Sequence, residues 1–72
     1  MLAYIVGKCQ LQTLLDRTGM SQQELALRLG VTRQQINKYI KGKAVMSYQV
    51  AYNIALILNC SMSDLYEWKL RN

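Results

Sequence analysis

Apolar residues in this chain recur mostly at three- and four-residue spacing, and the clearest instance runs from Ser21 to Gly42. Leu25, Ala26 and Leu29 follow Ser21 and Glu24, which have capping-box spacing and can satisfy two orphan amides at a helix start reciprocally. Gly30 stands where a chain leaves a helix through positive φ, a conformation glycine takes at no steric cost. After Val31, Thr32 offers a second N-cap, and Ile36, Tyr39 and Ile40 resume the pattern. The stretch predicts helices over 21–29 and 32–41. So short a link leaves no room for an antiparallel reversal, so the two helices must cross steeply, and Ala26 supplies the small side chain that close crossing needs.

The remaining periodicity predicts three more helices. The first starts near Val6 or Gly7 and runs to about Arg17, with Leu11, Leu14 and Leu15 as its buried stripe, and Thr18-Gly19 ends it. Met20 can then pack as a hydrophobic staple before Ser21. Lys41-Gly42-Lys43 reads as a helix stop, because cations suit a helix C-terminus and glycine its exit. Ser47 caps a fourth helix from Tyr48 to about Leu58, whose apolar set of Val50, Ala51, Ile54, Ala55, Ile57 and Leu58 predicts burial on two sides. Ser61 or Ser63 caps a last short helix containing Leu65, Tyr66, Trp68 and Leu70. The expected fold is all-α, a compact five-helix bundle forming one domain over residues 1–72.

Length and composition narrow the picture. A chain of 72 residues has room for one small core, burying about 60% of the unfolded surface. No segment approaches the roughly 20 apolar residues that cross a bilayer. The opening Met1–Val6 is too short for a signal-peptide core and follows no basic residue, so the expected location is cytoplasmic. Cys9 and Cys60 lack metal-ligand spacing and the chain has no histidine, so no metal site and no cofactor are expected and the cysteines read as free buried thiols. With four carboxylates, no glycine-rich phosphate loop and no nucleophile beside a base, an enzyme is not expected.

The chemistry that remains lies on the outer side of the 32–41 helix. Burial of Ile36, Tyr39 and Ile40 leaves Arg33, Gln34, Asn37 and Lys38 outside, with Gln35 at the edge. Gln and Asn can pair bidentately with adenine and Arg with guanine in the major groove, whereas a face meant only for solvent more often alternates Glu and Lys. The net charge is +5. No carboxylate lies between Glu24 and Asp64, and within that gap Arg28, Arg33, Lys38, Lys41 and Lys43 read as five uncompensated cations, as a phosphate-facing surface requires. A merely basic, soluble surface is the alternative, and it loses weight because the charge coincides with the two-helix motif.

These residues together resemble the phage repressor and Cro class of helix-turn-helix regulators, the XRE family. The resemblance is carried by Ser-Gln-Gln-Glu-Leu-Ala, Leu-Gly-Val-Thr, Ile-Asn-Lys-Tyr-Ile-Lys-Gly-Lys and the ending Leu-Asn-Cys-Ser-Met-Ser-Asp-Leu-Tyr, and it spans Gly7 to Tyr66. It implies a lambda-repressor-like domain that binds double-stranded operator DNA as a homodimer, with the third helix reading bases. By the same resemblance Ser21, Gln22, Thr32, Lys41, Gly42 and Lys43 match positions that hold backbone phosphate, while Arg33, Gln34, Asn37 and Lys38 match positions facing base edges or flanking phosphates. Arg33 lies where the class often carries a shorter or uncharged residue, which leaves guanine reading and backbone holding both open for it. Tyr39 points inward and reads as core in preference to a base-stacking role.

The implied function is a Cro-like transcriptional repressor with no small-molecule ligand, its half-sites roughly 34 Å apart if the dimer follows the usual geometry. The alternative is a protein-interaction module, such as an antitoxin, whose helix-turn-helix docks a protein; it predicts an apolar or acidic outer face on the third helix. Tyr66 and Trp68 fit either closure of the core or docking of a partner subunit. The leading Leu2, Tyr4, Ile5 and Val6 raise the same choice, because so small a domain has little capacity to bury them.

Overall fold

Residues 4–9 and 66–70 meet as an antiparallel strand pair beside a cluster of four short helices. The computed structural model describes residues 3–71. In chain order its elements are β1 (Tyr4–Cys9), α1 (Leu11–Thr18), α2 (Gln22–Leu29), α3 (Arg33–Ile40), α4 (Tyr48–Leu58), a 3-10 turn (Met62–Leu65) and β2 (Tyr66–Leu70).

The expected all-α five-helix bundle is therefore corrected at both ends. The first helix begins at Leu11, not near Val6 or Gly7. Tyr4, Ile5 and Val6 are aromatic or β-branched and fit a pleated strand better than a helical turn. The fifth helix is replaced by the 3-10 turn and β2. Tyr66-Glu67-Trp68-Lys69-Leu70 alternates apolar and charged residues, which puts all three apolar side chains on one face of a strand. A helix would set residues two apart at about 200° around its axis.

β1 and β2 pair antiparallel, with Tyr4 opposite Leu70, Ile5 opposite Lys69, Val6 opposite Trp68 and Cys9 opposite Tyr66. The register slips between Val6 and Cys9, where Gly7 and Lys8 face the single residue Glu67 and form a bulge. Gly7 fits the close approach there: a Cβ on it would stand 3.1 Å from both the Cβ and the carbonyl oxygen of Glu67, so Glu67 would have to give way slightly. Cys9 and Tyr66 pack on the core, while Tyr4, Val6, Trp68 and Leu70 extend beyond it and stay exposed. Leu2 lies outside the described residues.

The core is most of the apolar set expected from the helical periodicity, with two additions, while Leu29 and Ile40, expected to be buried, are half-buried against it. Leu11, Leu14 and Leu15 of α1, Leu25 and Ala26 of α2, Ile36 and Tyr39 of α3, and Ile54, Ala55 and Leu58 of α4 are buried. Met46 from the loop after α3 and Leu65 from the 3-10 turn join them. Met20 packs against this cluster from the position of the expected staple. On α4, Val50, Ala51 and Ile57 are half-buried against the core, whereas Tyr48, Tyr52 and Leu56 face solvent.

Helix starts are capped where the sequence indicated. The hydroxyls of Ser21, Thr32 and Ser47 accept from the backbone N–H three residues on, at 3.0, 3.1 and 3.1 Å. The reciprocal half of the box at Ser21 is absent, because the Glu24 carboxylate turns to Arg28 instead. A complete box forms at Ser61, whose N–H donates to the Asp64 carboxylate at 3.0 Å.

Candidate nucleic-acid interface

The turn between α2 and α3 fixes the site. Gly30 adopts φ 81°, and the N–H groups of Gly30 and Val31 both donate to the Ala26 carbonyl, at 2.9 and 3.1 Å. The last turn of α2 is thereby closed and the chain redirected within one residue, with Ala26 and Leu25 buried beneath the crossing. Ile36 and Tyr39 anchor α3 in the core, so its opposite side must face outward.

On that outer side, Arg33, Gln34, Asn37 and Lys38 line one shallow depression together with Gln23 and Lys43. Arg33, Gln34 and Lys38 are exposed and Asn37 is half-buried. Lys43 arrives there through the C-terminus of α3. Gly42 takes φ 75°, its N–H donates to the Tyr39 carbonyl at 3.1 Å, and the Lys43 N–H donates to the Lys38 carbonyl at 2.9 Å. This is the Schellman pattern, and it folds the chain back so that Lys43 stands beside the last turn of the helix.

Gln23 was not among the residues that sequence reasoning singled out. Its position was legible, since it precedes Ala26 by three residues and so lies on the side of α2 that meets α3. The depression thus draws polar groups from two helices and the following loop.

The residues expected to hold phosphate are distributed less uniformly. Ser21 and Thr32 are exposed N-caps. Each hydroxyl oxygen accepts one backbone hydrogen bond, which leaves its own hydrogen free to donate outward. Gln22 is half-buried, and its Nε2 donates to Oε1 of Gln12 on α1 at 2.9 Å. Its own Oε1 is buried and has no partner among the described residues. Lys41 and Gly42 line a second depression, on the side of the strand pair, with Lys8 and Cys9 of β1. Of the Lys41-Gly42-Lys43 corner, Lys43 alone joins the α3 face.

The expected run of five free cations is corrected to four. Arg28 forms an ion pair with Glu24 across one turn of α2, at 2.9 Å, because side chains four apart on a helix face one another. Among the described residues, Arg33, Lys38, Lys41 and Lys43 form no salt bridge. The remaining titratable groups serve the scaffold. Burial pushes the Tyr66 hydroxyl above the usual tyrosine range, although the Met46 N–H that it accepts at 3.1 Å draws it back. Burial also raises both thiols, and the nearby Asp64 carboxylate raises Cys60 further. Among the described residues no three His, Cys, Asp or Glu side chains come together as a metal site, and no helix is long and apolar enough to cross a membrane.

Comparison with known proteins agrees with the helix-turn-helix fold. A helix-turn-helix family model matches residues 11–65. The chain is 32% identical over 71 residues to the SPbeta prophage-derived uncharacterized HTH-type transcriptional regulator YopS of Bacillus subtilis, covering 97% of this chain and 96% of YopS. It is 44% identical over 48 residues to an uncharacterized HTH-type transcriptional regulator of Archaeoglobus fulgidus, covering 67% of this chain and 69% of that one. Among solved structures, the SOS-response transcriptional repressor LexA from Eubacterium rectale superposes with a TM-score of 0.72 at 29% identity, over 81% of this chain and 62% of that chain. The transcriptional regulator VanUg superposes with a TM-score of 0.70 at 25% identity, over 99% of this chain and 93% of its own.

Proposed function

The chain belongs to the XRE-type helix-turn-helix family, and on that premise we propose that it is a DNA-binding transcriptional regulator that reads a specific duplex with the outer face of α3. The observation that carries this reading is the convergence of Arg33, Gln34, Asn37, Lys38, Gln23 and Lys43 on one open face. Base edges are recognised by Gln34 and Asn37 through bidentate amide pairing and by Arg33 through its guanidinium fork, with Lys38 at the rim. The cap hydroxyls of Ser21 and Thr32 donate to phosphate oxygens flanking the groove, where the partial positive charge of the helix starts reinforces them. Lys43 and Lys41 add the sequence-independent affinity that comes from counterion release. Gln22 acts through position, tying the start of α2 to α1, with its second amide hydrogen available to phosphate.

The regulator is a homodimer and a Cro-like repressor, acts in the cytoplasm, and carries neither catalytic activity nor a cofactor. The protein-interaction alternative calls for an apolar or acidic face on α3, and the exposed Arg33, Gln34 and Lys38 supply neither. Selection of bound duplexes from a random pool tests the proposal. A recovered palindrome with half-sites about one helical turn apart is expected; recovery of no preferred sequence would refute the reading of α3.

A further inference from the structure

We propose that the free edge of β2 is the surface on which a second copy of this chain docks, the two β2 strands pairing antiparallel about a two-fold axis at Trp68. This inference rests on the homodimer reading above and names the surface that joins the copies.

The first observation is an apolar face that the described residues leave largely exposed, its Trp68 held at one point where Nε1–H donates to the Ser63 carbonyl at 3.0 Å. Tyr4 is 57% exposed, Val6 44%, Trp68 48% and Leu70 63%, and the register Tyr4–Leu70 and Val6–Trp68 places all four on the same side of the sheet. A two-stranded sheet on its own is marginal in water and gains from further strands. Both of its edges also present unpaired backbone groups.

The second observation selects the edge. The Arg71 N–H donates to the Ala3 carbonyl at 2.7 Å and the Gln10 N–H to the Leu65 carbonyl at 2.8 Å. With the observed register, these bonds turn the main-chain groups of Tyr66, Trp68 and Leu70 away from β1, as one regular row. The outer edge of β1 is unsuitable. It is broken by the bulge at Gly7–Lys8, and its Val6–Cys9 stretch shares a depression with the loop that follows α3. Bulges of this kind protect an edge against pairing.

The third observation is self-complementary charge. With Trp68 paired to its own copy, Glu67 of each strand lies opposite Lys69 of the other, twice over, and the outward N–H and C=O groups at 66, 68 and 70 all find partners. Centring the axis one residue earlier sets Glu67 against Glu67, and one residue later sets Lys69 against Lys69; like charges directly opposite are destabilising. The same register brings Leu70 of one copy beside Tyr66 of the other, and Tyr66 packs on its own core. Each overhanging apolar end is thereby laid against the body of its partner.

Sedimentation equilibrium on the DNA-free protein tests this, with far-UV circular dichroism confirming that each variant is folded. Wild type is expected to dimerise. Glu67→Lys is expected to weaken the dimer about tenfold or more, because two opposed lysine pairs replace two attractive ones. Lys69→Glu is expected to do the same, and the double variant E67K/K69E to recover wild-type association. A dimer insensitive to both single variants, or one that the double variant fails to restore, overturns the β2 surface while leaving the homodimer standing. A wild-type chain that stays monomeric in the presence or absence of a duplex overturns both. A selected palindrome from the separate pool experiment keeps the reading of α3 apart from either failure.

Discussion

The Lys43 N–H donates to the carbonyl of Lys38 at 2.9 Å, so the cation beyond α3 is held by the backbone of the helix whose face it completes. Gly42 makes that bond possible with φ 75°, and a Cβ there would meet nothing within 4 Å. Gly42→Ala therefore carries a purely conformational cost of about 1–2 kcal/mol, read as a melting point about 4–8 °C lower for each kcal/mol. Asn tolerates the left-handed region better, so Gly42→Asn should lose less. Equal melting of wild type and Gly42→Ala would contradict the assignment of this turn.

Arg28 and Lys43 separate a neutralised cation from a free one. Because Arg28 is paired with Glu24, Arg28→Ala should leave the salt dependence of duplex binding nearly unchanged and cost about 0.3–0.5 kcal/mol of stability. Lys43→Ala should weaken binding to every duplex alike and reduce the slope of log K against log salt by about one unit. Titrations of both variants at several salt concentrations check this, and slopes that fall equally would mean that the ion pair opens on DNA.

The helix-turn-helix was legible because its signals are local. Ser21, Gly30, Thr32 and Gly42 mark boundaries through their own backbone chemistry, and Ile36 and Tyr39 mark the buried side through periodicity alone. The strand pair was less legible because it joins residues far apart in sequence. The period-two alternation from Tyr66 to Leu70 is present in the sequence, but over five residues it is outweighed by the helical spacing that precedes it. The Glu24–Arg28 pair was missed for a related reason: counting carboxylates between Glu24 and Asp64 treats Glu24 as a boundary, although its side chain reaches one turn into that interval. Gln23 needed the crossing of α2 and α3 before its neighbours could be named.

Tyr66 ties β2 to the loop after α3 by accepting the Met46 N–H. Tyr66→Phe removes the acceptor and should cost about 0.5–1.5 kcal/mol, the net worth of one part-buried hydrogen bond. Its hydroxyl is raised by burial, so the folded state holds the proton more tightly than the unfolded one. The resulting stability is fully present below the ordinary tyrosine value near 10 and is lost as the pH rises through the folded value. Denaturant melts between neutral and strongly alkaline pH should show a decline that is shallower in Tyr66→Phe. Identical alkaline profiles would remove Tyr66 from the account.

Whether the polar side of α3 reads bases is tested most directly by titrating wild type and Gln34→Ala against one selected duplex and one scrambled duplex at the same salt concentration. The substitution should cost about 1–3 kcal/mol on the selected duplex and leave binding to the scrambled one unchanged. Equal losses on both duplexes, or none on either, would contradict base reading by this face.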